Sequence, residues 1–125
     1  MNTWLLVAIG GAAGSVARYG FSLGATRWLG AAFPFGTLGV NALGSFLAGL
    51  LYALIVQRLA AQEEWRSLLL IGVLGGFTTF SAFSLETIRL LESGRVSSAA
   101  TNIGLNLVLG LGACIAGLWL GRRLF

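Results

Sequence analysis

The sequence predicts an all-α integral membrane protein with four transmembrane helices, the third of them broken, with its charge placed so that an antiparallel, dual-topology homodimer and a monomeric bundle are both open. Three observations lead there. Of 125 residues, 57% are hydrophobic and only 10% charged, whereas a soluble domain carries about 25% charge. The charges are clustered, so residues 1–17, 28–57, 67–85 and 96–121 carry none. A bilayer-spanning helix needs about 20 mostly apolar residues, which gives four spans and little else. The arginines, finally, divide almost evenly between the two ends that four spans define.

The spans fall near 2–24, 33–56, 66–90 and 97–121, within one domain covering 1–125. They are too long for barrel strands of about 9–11 residues and lack sustained two-residue alternation. The first reaches full length only by including Arg18. An arginine inside a span is costly; it either snorkels to the interface or offers positive potential to an anion. No basic segment precedes Trp4 and no soluble domain is expected after the span, which argues against a signal peptide. Gly10, Gly11 and Gly14 form a small-residue face of the kind that lets helices approach closely.

The second span opens at Pro34, suited to a helix start. It carries Thr37, Asn41 and Ser45 in an otherwise apolar run. The fourth carries Asn102 and Asn106, four residues apart and so on one face, with Thr101 beside them. An amide in a span is commonly a helix–helix hydrogen bond; a track of amides and hydroxyls also suits an anion without trapping it. Cation pathways instead show carboxylates near the midplane, and here the one span carboxylate is Glu86, late in the third helix.

That third span reads Gly75-Gly76-Phe77-Thr78-Thr79-Phe80-Ser81-Ala82-Phe83-Ser84. Two glycines followed by two threonines make a poor continuous helix, and a midplane interruption is predicted. Within lipid, such a break needs partners for its backbone polar groups. Phe80 and Phe83 share a face with Ser81 and Ser84 alongside. Aromatic residues at this spacing ordinarily pack; beside a broken helix, their electropositive ring edges also suit an anion.

Four spans put the N-terminus, the second loop and the C-terminus on one side, with Arg58, Arg66, Arg122 and Arg123. Arg27, Arg89 and Arg95 lie on the other. Positive charge orients membrane proteins, and so even a split permits both orientations. Opposed copies would then reproduce the inverted-repeat arrangement of larger transporters; a monomeric bundle is the simpler alternative.

The segments Gly10–Tyr19, Pro34–Asn41 and Gly75–Ser84 together resemble the Fluc/CrcB family of fluoride channels, over essentially the whole chain. The resemblance implies a dual-topology homodimer in a bacterial inner membrane that exports fluoride passively through two pores built from both subunits. It implies that Phe80 and Phe83 face the ion, that Asn41, Thr37, Ser81, Ser84 and Asn106 belong to the path, and that Arg18 lies near an aqueous vestibule. It also implies a structural sodium ion (Na+) held by the Gly75 and Thr78 carbonyls of both copies. One departure is Gly110, where the family often has Ser. Fluoride, a second copy and lipid are the expected partners, with no nucleic acid.

Other functions fit less well. A small multidrug-type cation/proton antiporter needs an early carboxylate, and none precedes Glu63. A structural membrane subunit explains the glycines but not the polar track. An enzyme is not expected: there is no His or Asp, and Cys114 is the sole cysteine, which also excludes an internal disulfide or a Cys-cluster zinc site.

Overall fold

The computed structural model describes residues 2–125, and all regular structure in them is helical. α1 (Thr3–Leu29) starts where the Asn2 side chain accepts a hydrogen bond from the Trp4 N–H at 2.8 Å, satisfying a first-turn donor that has no partner inside the helix. It ends at Gly30, whose φ of 83° is costly for any residue with a Cβ. Pro34 immediately precedes α2 (Phe35–Arg58) rather than opening it from within.

The third span is assembled from pieces: α3 (Gln62–Trp65), a π-helical segment (Arg66–Leu74), α4 (Gly75–Phe77) and, after a break, α5 (Phe80–Glu92). The wider winding shows where the Gly75 N–H donates to the Leu70 carbonyl, five residues back. α6 (Val96–Leu124) follows a three-residue turn. There Gly94, at φ 76°, lets the Arg95 N–H reach the Leu90 carbonyl at 2.8 Å and close the end of α5. The Arg95 guanidinium also donates to the Ala32 carbonyl, tying the third connection to the first.

Among the described residues, three stretches are long and apolar enough to cross a membrane: Phe35–Arg58, Gln62–Glu92 and Val96–Leu124. α1 is not among them, because Arg18 interrupts its apolar run, but its 27 residues extend about 40 Å at 1.5 Å each. α1 and α6 run past the predicted spans, to Leu29 and Leu124. Arg27, Arg122 and Arg123 stay helical there, since cations are favourable at a helix C-terminus.

The helices form two parallel pairs set against each other. α1 lies along the first part of the third span: a Cβ on Gly14 would overlap the Val73 carbonyl, and one on Gly76 would sit 2.6 Å from the Gly11 carbonyl. α2 lies along α6 in the same way, through Gly49 on Cys114 and Gly117 on Phe46. Small residues thus bring backbone against backbone, the packing expected where lipid supplies no hydrophobic drive between helices. Trp4, Val16, Trp28, Val108, Leu111 and Ile115 face outward, a surface suited to acyl chains rather than water.

Candidate functional site

The site is built around the break. Thr78 and Thr79 are extended, at φ −88°, ψ 158° and φ −153°, ψ 122°. Glycines on one side weaken the helix, and the threonine hydroxyls compete for backbone partners. The Thr78 hydroxyl donates to the Leu74 carbonyl at 2.8 Å, and the Thr78 N–H reaches the same oxygen at 2.9 Å. The Thr79 hydroxyl accepts from the Ala82 N–H at 3.1 Å and so caps α5.

What remains of Thr79 is held by a side chain from another helix. Asn41 Oδ1 accepts the Thr79 N–H at 2.8 Å, and Asn41 Nδ2 donates to the Thr79 carbonyl at 2.9 Å. The amide acts on the break as a neighbouring strand would. From there a ladder of side chains runs along α6. Asn41 Nδ2 donates to Asn106 Oδ1 at 3.2 Å. Asn106 Nδ2 donates to the Asn102 carbonyl and Oδ1 at 2.8 and 3.0 Å. Asn102 Nδ2 donates to the Thr87 hydroxyl at 3.0 Å, and that hydroxyl donates to the Phe83 carbonyl at 2.7 Å.

Two cavities follow one another along the α2–α5 groove. The inner one, about 380 Å³, is an open cleft lined by Asn41, Ser45, Thr79, Phe80, Phe83 and Asn106, with Gly75, Thr78 and Gly110 also on its wall. Phe80 is 77% exposed, and its ring centroid lies 5.4 Å from that of Phe83 at 57°. No formal charge lines this cleft. Ser45 has no hydrogen-bond partner within the described residues, so its hydroxyl is available. The outer cavity, about 750 Å³, lies at the end of the bundle and is lined by Ser22, Thr26, Thr37, Glu86, Arg89 and Arg95 among others. Thr37 donates to Glu86 Oε1 at 2.8 Å, while Glu86 Oε2 is buried with no partner. Thr37 and Asn41 are one helical turn apart, so the outer cavity leads toward the inner one.

The predicted residues therefore divide. Asn41, Phe80, Phe83 and Asn106 meet at the inner cleft with Gly75 and Thr78. Thr37 stands in the outer cavity. Arg18, Ser81 and Ser84 line neither. The Ser84 hydroxyl donates back to the Phe80 carbonyl, and Ser81 sits 3.3 Å from the Thr79 hydroxyl. Asn41 lines the cleft, yet both its amide hydrogens are taken by Thr79 and Asn106. Asn102, Ser45 and Glu86 join the site besides. Their signals were their spacing, four residues before Asn106 and four after Asn41, and, for Glu86, its place as the lone span carboxylate.

The family described as CrcB-like protein, Camphor Resistance (CrcB), matches residues 5–118. A protein of Magnetococcus marinus named fluoride-specific ion channel FluC is 53% identical over 116 residues, covering 93% of this chain and 94% of that one. Its namesake in Agrobacterium fabrum is 52% identical over 120 residues, 96% of each. Another, from a Caulobacter strain, is 49% identical over 126 residues, spanning 100% of this chain and 98% of its own. A matching segment that covers nearly all four helical spans, with relatives at about half identity end to end, makes this chain a member of the CrcB family.

Proposed function

We propose that this multi-pass membrane protein is a fluoride-selective channel that lets fluoride leave the cell passively. The observation that carries the reading is the near-full-length likeness to proteins named fluoride-specific ion channels; the neutral cleft beside the broken helix supports it. Fluoride is small and holds its water tightly, so a pore must replace that water with fixed partners. The cleft offers the ring edges of Phe80 and Phe83, which are electropositive, and the Ser45 hydroxyl. The outer cavity ahead of it carries Arg89 and Arg95 against Glu86 and Glu92, so its cations are balanced by carboxylates and the selective contacts belong to the inner cleft. The work is transport rather than catalysis.

The reading includes an antiparallel homodimer with two ion paths. The outward-facing Phe80 and the exposed Gly75 belong to a wall that a second copy would complete. It also includes a structural sodium ion. The Gly75 and Thr78 carbonyls fit that ion, because neither accepts a hydrogen bond across the break, and a carbonyl at membrane depth needs a partner. Paired carbonyls from two copies would suit a hard monovalent cation, and the bound charge would add positive potential near the anion paths. In liposomes loaded with fluoride, the purified protein is expected to release fluoride to an electrode far faster than it releases chloride in the matched control. Equal rates for the two anions would overturn the assignment.

A further inference from the structure

Resting on the channel reading, we infer that Asn102 is a positioning residue: buried away from the ion, it fixes the α6 end of an amide ladder whose other end is fixed by the Thr79 backbone. The logic begins on α5. The Thr87 hydroxyl has one hydrogen, and it goes to the Phe83 carbonyl at 2.7 Å. Toward Asn102 that hydroxyl can therefore only accept. Asn102 must turn Nδ2 to Thr87, at 3.0 Å, and Oδ1 the other way. There its Oδ1 and its backbone carbonyl both face Nδ2 of Asn106. Two acceptors on one side fix the orientation of the Asn106 amide, which turns its own oxygen to Asn41. Asn41 is then left with one hydrogen for the Thr79 carbonyl and Oδ1 for the Thr79 N–H, as the break requires.

Asn102 is the link that nothing else can supply. Its side chain is 0% exposed, so water cannot stand in for it, and a polar neighbour left without a partner there is costly. Asn106, by contrast, borders the cleft. With Asn102 in place, the Asn106 oxygen is paired with Asn41 and turned from the ion path. Without it, Asn106 loses one of its acceptors and can swing its oxygen into the cleft, where lone pairs repel an anion.

The test uses Asn102→Leu, close in size but unable to hydrogen-bond, and Thr87→Val, which keeps shape and serves if the first variant fails to fold. Each is reconstituted beside the wild type, with the side-chain amide nitrogens of asparagine labelled with ¹⁵N. Both variants are expected to lower fluoride efflux about tenfold, the factor that roughly one lost hydrogen bond represents, and to lower the fluoride-to-chloride ratio. Both should also shift the Asn41 amide resonance, although neither position is hydrogen-bonded to Asn41. A role in packing alone would leave that resonance and the anion ratio in place. A folded variant with an unshifted Asn41 signal, or with a shifted signal and full fluoride flux, overturns the inference. A wild type that passes no fluoride overturns the channel reading instead, and the resonance still reports whether the ladder has the stated direction.

Discussion

Thr79 carries more of the break than any other residue. Its backbone is clasped by Asn41, and its hydroxyl caps the first turn of α5. Thr79→Val keeps the β-branched shape that favours extended backbone but removes the capping oxygen. The variant is expected to lose about 1 kcal/mol, read as a lower thermal midpoint in detergent, while the Asn41 clasp on the backbone persists. At this scale the sequence told much, because polar residues stand out in apolar runs. Asn41, Asn106, Phe80 and Phe83 stand out by type and spacing, the family resemblance places them on an ion path, and they meet at one cleft. Which partner each amide takes was not legible. The pairing of Asn41 with a backbone thirty-eight positions on depends on the relative height of two helices, and a single sequence does not encode that height locally. Thr37 and Glu86 show the same gap, lying forty-nine positions apart yet hydrogen-bonded.

Helices meet here by contact of backbone on backbone, and the glycines differ sharply in what surrounds them. Gly14 faces the Val73 carbonyl with no space for a methyl group, whereas Gly104 has nothing within 4 Å. Gly14→Ala is expected to destabilise by about 1–3 kcal/mol through overpacking. Gly104→Ala should leave stability unchanged or raise it slightly, as alanine is the better helix former. Thermal unfolding of the two variants side by side checks both signs. The break at Thr78 and Thr79 could be anticipated from its glycines and threonines. The π-helical stretch Arg66–Leu74 could not: wider winding leaves no mark on an apolar run that lacks a polar face. The span limits were set short for a related reason. Counting uncharged positions stops the first and fourth spans before Arg27 and Arg122, although arginine is welcome in a last turn.

Taken whole, a single chain leaves one side of its inner cleft open, with Phe80 and Gly75 exposed on that wall. Gly75 offers a way to test the proposed association separately from the fold of the single chain. Inside the protomer, a Cβ there meets only the Leu70 carbonyl at 3.8 Å, an ordinary contact. Gly75→Ala should therefore fold as well as the wild type. In the proposed dimer, with two copies crossing at this point, the same methyl group would force them apart, and overpacking of about 1–3 kcal/mol should move the protein toward monomer. Mass determination in detergent reads the shift, and an unchanged dimer fraction with unchanged flux would place the contact elsewhere. The arginine distribution that motivates opposed copies has its counterpart at the two ends of the bundle: Arg58 donates to the Phe125 carbonyl at one, and Arg95 to Ala32 at the other.

The connections between these helices are brief: residues 30–34, 59–61 and 93–95 are all that join them. Two of the three are pinned, by Gly30 returning its N–H to Thr26 and by the closed turn at Gly94. None is long enough to swing across the cleft as a cover. An energised membrane stores work as an ion gradient, and any unguarded hole dissipates it. With no lid among these connections, protection of that gradient in the proposed channel would rest on the walls themselves: the uncharged lining of the cleft would have to act as the valve.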